Sequence, residues 1–358
     1  MVLFAFLLSV VTAAAAVPST AIDALVARHV EALGGAARLR AITARVERGR
    51  YREGDLDIAT YAAYRRPFFR VIGDPAKALT TIHEGYDGSA WEYYPDPGIV
   101  VRTVGAAAAA ARHAAAFDDP LVDYRTHGTA LADGGDATID GHAARVLHVT
   151  LADGFAEDIY LDRASALIVA IERTVPMHAF GRRYRTHDEI SDYRPEGGVL
   201  YPHRFREIDT ATGKVLTEST ITTMEINPDL PFTLFSPPGW ERTPLQTMVQ
   251  RIYDERDEAA SAIATYRDFT AAYPADPNEV NAVDFVGYQT LKMGHADTAV
   301  ALLTQNVAKF PQSARAHYGL GRALNEQGKV DLARAQFRAA LAIDPAFERA
   351  RTALDQLR

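Results

Sequence analysis

Three residue types that bind metal ions stand together at one place in the sequence, His187-Asp188-Glu189. Imidazole and carboxylate groups are common zinc ligands, but a metal site requires their ligand atoms to converge on one point in space. The surrounding residues have the pattern of a β-strand, in which neighbouring side chains point to opposite faces. We therefore predict a solvated strand end here, and no metal site.

Other residues with chemical potential lack the context that their chemistry needs. Ser165, Ser191 and Ser219 are not flanked by the glycines of a nucleophile elbow. The stretch GLGRAL at 319–324 resembles part of a dinucleotide-binding loop, but it lacks the third glycine and a preceding strand. No spacing of carboxylates singles out an acid–base pair. The sequence thus predicts a protein without enzymatic activity, cofactor or metal ion.

The composition restricts the class of protein further. The chain has 358 residues, of which 48% are hydrophobic and 23% charged. This length predicts two domains, each with its own hydrophobic core. It contains no cysteine, which excludes disulfides, thiolate zinc sites and iron–sulfur clusters. The net charge of −8 includes no basic block, which argues against a nucleic-acid partner and allows at most transient contact with an anionic membrane.

The N-terminus is an apolar run, MVLFAFLLSVVTAAAAVPST. Its alanines offer a cleavage site such as Ala14–Ala16, so residues 1–16 are predicted to be a secretory signal peptide. No Lys or Arg precedes the run, and the alternative is an uncleaved anchor, although a bilayer span needs ~20 residues. We expect export across the inner membrane to the periplasm.

The hydrophobic periodicity changes along the chain. Within residues 21–40, apolar side chains recur at helical spacing as far as Leu33. Gly34-Gly35 then provides a signal for the end of the helix. From residue 45 to about 226 the pattern is that of strands separated by short turns, such as Asp87-Gly88 and Asp140-Gly141. Short turns join antiparallel neighbours, so the pattern predicts an antiparallel meander.

One segment inside this region is alanine-rich, GAAAAAARHAAAF at 105–117. Alanine strongly favours helix. The helix is either a plain connector or a cover across the mouth of the sheet, where its small side chains would leave space. Both readings stay open at this point.

The region beyond the proline-rich boundary at 235–244 is helical and repetitive. Residues 280–313 and 314–347 form two units of 34 residues, with Gly287 matching Gly321 and Pro311 matching Pro345. This period and these positions resemble the tetratricopeptide repeat. A degenerate unit (248–279) follows a linker (238–247), and a capping helix (348–358) ends the chain.

The tetratricopeptide resemblance implies stacked helix pairs with a concave face that holds a partner segment. The residues expected on that face are Asn281, Asp284, Tyr288, Arg315, Tyr318, Arg322 and Asn325. The alternative is that so few repeats only brace the neighbouring region or mediate a dimer.

Residues 17–237 resemble a second family. The motifs YDGSAW (86–91), FDDPLVDY (117–124), IYLDRASALI (159–168) and DYRPEGGVLYP (192–202) follow one another as in LolA/LolB-type carriers, the outer-membrane lipoprotein-sorting proteins. This resemblance implies a curved antiparallel half-barrel with covering helices and a hydrophobic cavity for lipid or acyl chains. The predicted fold class is therefore α+β, with an all-α repeat region at the C-terminus.

The aromatic stretch GYDGSAWEYY at 85–94 fits such a half-barrel without any catalytic role. Trp91 and Tyr93 follow a hairpin turn and share one face of a strand. In a half-barrel the core and the ligand wall are the same surface. The residues expected to line the cavity are Tyr61, Phe69, Trp91, Tyr93, Leu147, Val149, Ile159, Leu161, Val169 and Ile171.

Two functions from different classes are consistent with the sequence. In the first, an exported, non-enzymatic protein binds a lipid or lipoprotein acyl chain and docks a protein partner on its repeats, in lipoprotein or envelope lipid trafficking. In the second, the protein is an envelope scaffold with a solid β core and no ligand.

Overall fold

The computed structural model describes residues 19–54, 56–67, 69–73, 83–95, 97–176, 183–237, 243–274 and 276–357. The predicted signal peptide at 1–16 and part of the predicted linker, residues 238–242, lie outside these ranges. Among the described helices, none is both long enough and apolar enough to cross a membrane.

The N-terminal part of the chain is dominated by strands. The strands are β1 (Ala44–Glu53), β2 (Leu56–Arg65), β3 (Phe69–Ile72), β4 (His83–Tyr86), β5 (Ala90–Tyr94), β6 (Ile99–Arg102), β7 (Ala130–Ile139), β8 (His142–Thr150), β9 (Ala156–Asp162), β10 (Ile168–Pro176), β11 (Arg183–Glu196), β12 (Val199–Asp209) and β13 (Val215–Ile226). They form one sheet in the order β6-β5-β4-β3-β2-β1-β13-β12-β11-β10-β9-β8-β7, and every neighbouring pair is antiparallel.

The sheet is curved and open. Helices α1 (Ser19–Leu33) and α2 (Ala36–Ala41) precede it, and α3 (Gly105–Ala114) contacts β10 on one side and β4 and β5 on the other. These strands are far apart in the sheet order, so the sheet bends around α3. The alanine-rich helix therefore lies across the mouth of the sheet, in agreement with its interpretation as a cover and not as a plain connector. The predicted antiparallel half-barrel is confirmed.

Bulges contribute to the bend, because an extra residue in one strand increases the local twist. The pairing of β1 with β13 shifts between Arg48 and Gly49. A Cβ atom at Gly49 would lie 1.7 Å from the carbonyl oxygen of Thr220, so this close approach requires glycine.

The C-terminal part consists of helix pairs. The helices are α4 (Pro244–Asp254), α5 (Ala259–Ala272), α6 (Glu279–Lys292), α7 (Ala296–Lys309), α8 (Ala314–Glu326), α9 (Val330–Ile343) and α10 (Glu348–Gln356). Glycines permit close helix crossings here: a Cβ atom would lie 2.5 Å from the Phe337 ring at Gly321 and 2.8 Å from Leu303 at Gly287. The repeating glycines of the sequence are thus packing positions.

Helix α4 covers the edge strand β6. The Gln246 side chain accepts a hydrogen bond from the Val100 amide at 3.0 Å and donates one to the Val100 carbonyl. One helical turn later, Gln250 makes the same pair of bonds with Arg102, at 2.8 and 2.9 Å. The two glutamines replace the partner strand that an exposed edge would otherwise recruit.

Candidate functional site

The strand register assigns the predicted cavity residues to faces, because directly paired residues of an antiparallel sheet share a face. Leu147 pairs with Ile159, Ile159 with Ile171, and Ile171 with Asp188. We call this side, which α3 covers, the concave face. The register continues through Glu207 and Thr217 to Glu53, so odd-numbered residues near the end of β1 lie on the concave face.

Five of the predicted cavity residues form an apolar cluster on the concave face. They are Leu147, Val149, Ile159, Leu161 and Ile171, and they pack with Leu121 and with Ile22 and Val26 of α1. The first four are at most 1% exposed. Val169 lies at a register shift between Ile168 and Ala170 and is half-buried. Helix α1 therefore fills the space above this apolar wall.

The other four predicted residues, Tyr61, Phe69, Trp91 and Tyr93, lie on the opposite face. Trp91 is in register, through Gly85, Val71 and Ala63, with the even-numbered Val46 of β1. This cluster is closed by Leu230 and a short 3₁₀ turn at Phe232–Phe235. Nine of the ten residues thus form two separate clusters, Val169 belongs to neither, and the role of all ten in ligand binding stays a prediction.

Trp91 has a structural role. Its indole N–H donates a hydrogen bond of 2.9 Å to the Phe235 carbonyl, and the residue is 1% exposed. A Cβ atom at Gly85 would lie 2.4 Å from the indole ring, so this glycine makes room for the tryptophan.

A cavity opens between α1 and the edge strand β7. It has a volume of about 410 Å³ and is lined by Ile22, Tyr124, Arg125, Gly128, Thr129, Ala130 and Leu131. The Arg125 guanidinium is held by Asp23, with contacts of 2.7 and 2.8 Å. The cavity adjoins the apolar cluster through Ile22 and Leu131.

A buried ion pair fastens α1 over the concave face. His29 is fully buried, with Nδ1 2.8 Å from the Ala166 carbonyl and Nε2 3.2 Å from the Asp119 carboxylate. Both ring nitrogens face acceptors, so the protonated imidazole satisfies both. Burial opposes this charge, but Asp119 and the Ala166 carbonyl outweigh burial and raise the pKa of His29.

The middle of the concave face is charged, which the sequence analysis did not foresee. Asp188 is 5% exposed and Glu157 is 8% exposed. The guanidinium of Arg173 lies 2.8 Å from Asp188 and 3.8 Å from Glu157. The expectation of a solvated strand end is therefore wrong for Asp188. Asp188 is two residues from Ile190 on one strand, and Glu157 is two residues from Ile159 on another. Residues two apart share a face of the sheet, so this spacing could have indicated that both carboxylates lie beside the apolar cluster.

Burial and charge act against each other in this cluster. Burial alone would lower the pKa of Arg173, but Asp188, Glu157 and Glu207 raise it. Burial raises the pKa of Glu157, and Arg173 only partly offsets that increase. Burial is also the main cause of the lowered pKa of His113 on α3, to which Arg112 and Arg173 contribute.

His187 and Glu189 point away from Asp188, as expected for neighbours in a strand. Their ligand atoms come within 4.8 Å of each other and of Asp140. Asp140 contacts the His187 ring at 2.7 Å, while Arg206 contacts Glu189 at 2.5 Å. Both carboxylates are thus already engaged by protein cations or donors.

A second concave site lies in the repeat region. A groove of about 570 Å³ runs between α6, α8 and the segment after α9, and Tyr94 of β5 forms one wall. Its lining is Tyr94, Asp284, Phe285, Tyr288, Gln289, Ala314, Arg315, Tyr318, Arg322, Asp344, Phe347 and Arg349. Five aromatic rings and three guanidinium groups therefore face one volume.

The groove side chains hold one another in place. The Arg322 guanidinium stacks on Tyr288, 3.4 Å from the ring centroid, and lies 5.2 Å from the Tyr318 centroid. Arg315 Nε lies 2.8 Å from an Asp284 oxygen. Stacking fixes the plane of the Arg322 guanidinium and leaves its in-plane N–H donors available.

The predicted partner-binding residues are only partly brought together. Asp284, Tyr288, Arg315, Tyr318 and Arg322 line the groove, whereas Asn281 and Asn325 are outside its lining. Sequence analysis missed Tyr94, since it lies in a different part of the chain, and also missed Phe347 and Arg349.

Residues 290–346 match the family model described as Tetratricopeptide repeat. A search of curated proteins gave no match.

Three solved structures are similar to part of this chain. A DUF1329 family protein from Desulfovibrio piger is 13% identical, with a TM-score of 0.39, covering 60% of this chain and 97% of that one. A putative outer membrane lipoprotein-sorting protein domain from Vibrio parahaemolyticus is 12% identical, with a TM-score of 0.41 and coverages of 60% and 95%. A LolA superfamily protein from Nitrosomonas europaea is 14% identical, with a TM-score of 0.37 and coverages of 55% and 90%.

The neighbours are of the class that the sequence motifs predict, and the predicted resemblance to both families is confirmed. Likeness at these TM-scores carries no argument about what the chain binds.

Proposed function

We propose that this chain is a non-enzymatic interaction protein whose repeat groove binds an extended peptide segment of a partner protein. The observation that carries the proposal is the groove itself, in which aromatic rings and arginines from three helices and one strand line about 570 Å³. Concave, largely apolar sites with a few convergent polar groups are typical binding sites.

The side chains indicate which peptide suits the groove. Tyr288, Tyr318 and Phe347 offer apolar contact to one or two bulky side chains. Arg322 and Arg349 offer charged donors for a carboxylate, with which guanidinium groups pair strongly. A peptide that combines an apolar anchor with an acidic residue satisfies both sets.

A peptide-display library panned against the full chain tests this proposal. Enriched peptides should combine apolar and acidic residues, and their affinity should fall at least about tenfold in Arg322→Ala, a loss of ~1.4 kcal/mol. Arg338→Ala is the matched control, because Arg338 is exposed on α9 outside the groove lining. Equal binding by the two variants, or no enriched peptide, contradicts the proposal.

A second candidate function is the carriage of an apolar ligand. It is favoured by the cavity of about 410 Å³ between α1 and β7, which adjoins the apolar cluster of the concave face. The experiment is titration with a fluorescent fatty acid. Leu131→Asp should abolish binding, whereas Thr138→Asp, farther along the same strand, should leave it unchanged; binding that survives Leu131→Asp excludes this cavity.

We further propose that the protein acts in the periplasm, after export. The apolar N-terminal run with its alanine cleavage site supports this proposal. Intact-mass measurement of the protein from a periplasmic fraction should show a chain that begins at or near Val17. Recovery of the full-length chain in the membrane fraction would instead indicate the uncleaved anchor.

A further inference from the structure

The two edges of the sheet differ. At β6, the side chains of Gln246 and Gln250 bond the backbone of the edge strand, so this edge is closed. The other edge is β7, and among the described residues β8 is the only strand that pairs with it. In an antiparallel strand every second residue directs its N–H and C=O away from a single neighbour. The outer side of β7 therefore presents backbone hydrogen-bonding groups.

The first part of β7 lacks the features that usually protect an edge strand. The strand is ten residues long and contains neither lysine nor proline. Its pairing with β8 shifts between Asp133 and Gly135, but Ala130–Asp133, before this bulge, pair regularly. Ala130 and Ala132 are small and exposed. Another strand can therefore approach this stretch closely.

Space for another strand lies beside the stretch. The cavity of about 410 Å³ is lined by both Ala130 and Leu131. Their side chains point to opposite faces of β7, so a cavity that touches both follows the edge of the strand. The one charged residue of its lining, Arg125, is paired with Asp23. The cavity therefore matches an uncharged segment of extended chain.

We infer that β7 of a second copy of this chain occupies the edge, so that two chains form a dimer with one continuous sheet. The first stretch of β7 is complementary to itself. With a two-fold axis at Leu131, Ala130 of each copy lies opposite Ala132 of the other. All these side chains are uncharged, which agrees with the neutral lining of the cavity.

Charge and backbone geometry favour this register. Asp133 is the first charged residue of β7, and it lies opposite Thr129 of the other copy, so no charge faces another of the same sign. A register centred at the bulge would set two irregular backbones against each other and interrupt the ladder of hydrogen bonds. Symmetry favours the same occupant. Because the β6 edge is closed, a two-fold dimer leaves no open edge and cannot grow further.

The contact is short, which sets the expected strength of the dimer. About five residue pairs bury less than the ~1,200 Å² of a standard interface, so the dissociation constant is expected to be on the order of 10–100 μM. Sedimentation equilibrium of the full chain from about 5 μM to about 500 μM should show monomer at the lowest concentration and mostly dimer at the highest. A chain that stays monomeric over this range overturns the inference.

Leu131→Cys tests the position of the two-fold axis. The chain contains no cysteine, so any disulfide in this variant joins two copies. Opposite residues of an antiparallel pair have Cα atoms about 4.5–5.5 Å apart, a distance that a disulfide spans. In a glutathione redox buffer, Leu131→Cys should give at least about tenfold more covalent dimer than Thr138→Cys, an exposed position beyond the bulge. Equal yields contradict the inference.

Two double variants at exposed positions test the register without a change in the core. Ala130→Glu with Ala132→Glu places like charges opposite each other twice, whereas Ala130→Glu with Ala132→Lys places opposite charges there. The glutamate–lysine variant should form a dimer at least about tenfold tighter than the double-glutamate variant. Equal dissociation constants would exclude this pairing.

Other occupants of the edge would give different results. If the chain stays monomeric while the peptide Thr-Val-Thr-Val-Thr slows amide exchange in β7, the edge pairs with a strand of another protein. If a fatty acid slows this exchange in a monomeric chain, the cavity holds a lipid. Either result overturns the assignment to a second copy. None of these measurements bears on the peptide groove, which lies in another part of the chain.

Discussion

Replacement of Gln246 by methionine is expected to destabilise the sheet edge. Gln246 is 5% exposed and bonds both polar groups of Val100, which is 3% exposed. Methionine has a similar volume but no matching donor or acceptor, so the substitution leaves a buried N–H and a buried C=O without partners. Each such group costs about 1–3 kcal/mol, and the expected loss in the free energy of unfolding is about 2–6 kcal/mol.

Gln250→Met provides a graded comparison. Gln250 and Arg102 are only half-buried, so water can replace the lost bonds at Arg102. The expected loss is about 1 kcal/mol or less. Gln305→Met is the control, because Gln305 is exposed in the middle of α7 and methionine is a comparable helix former.

Urea denaturation measures the stabilities, and amide hydrogen exchange locates the effect. Exchange at the Val100 amide should accelerate in Gln246→Met, while the amide of Val146, in the distant strand β8, should change only with global stability. A loss below about 0.5 kcal/mol with unchanged protection at Val100 would refute the idea that glutamine side chains complete the sheet edge.

Three further predictions concern packing and charge. Gly85→Ala should destabilise the protein by about 1–3 kcal/mol, because the added Cβ atom would lie 2.4 Å from the Trp91 ring. Urea denaturation measures this loss, and an unchanged midpoint would show that the ring moves freely. Gly321→Ala should cost a similar amount, since the added atom would lie 2.5 Å from the Phe337 ring, and thermal melting measures it. Because the pKa of His29 is raised on folding, its protonation stabilises the fold below pH ~6.5, and this contribution disappears as the pH rises through the folded pKa. His29→Gln should therefore destabilise the protein more at pH 6 than at pH 9 in urea unfolding, and an equal loss at both would exclude the ion pair.

Most strand pairs of the sheet could be predicted because the chain is locally connected, whereas the central pair β1–β13 joins strands far apart in the sequence. Short turns such as Asp140-Gly141 join neighbours, so a sequence of strands and turns already specifies the meander. The helix pairs could also be predicted from the sequence, since glycines such as Gly287 and Gly321 recur at a fixed period and mark close helix crossings.

The faces of the strands could not be predicted, because bulges change the alternation. Trp91 and Leu147 both occupy apolar alternating segments, yet the register places them on opposite faces. The shifts at Arg48/Gly49 and Ile168/Ala170 have no clear sign in the sequence. A single shift inverts every later assignment.

Contacts between distant parts of the chain also could not be predicted from the sequence. The bonds from Gln246 to Val100 connect residues 146 positions apart, and nothing near either residue announces the other. In the groove, five of seven predicted residues were found because the repeat pattern is local, whereas the contribution of Tyr94 depends on how α6 meets the sheet.

The position of Tyr94 has a consequence for the evolution of this protein. Its ring packs 4.8 Å from that of Phe285 and also borders the groove, so part of the groove is encoded in β5. Recombination that moved the repeats onto another protein would transfer the arginines of the groove but not Tyr94. Binding preferences are therefore expected to be inherited with the whole gene, and repeats borrowed alone should acquire different ones.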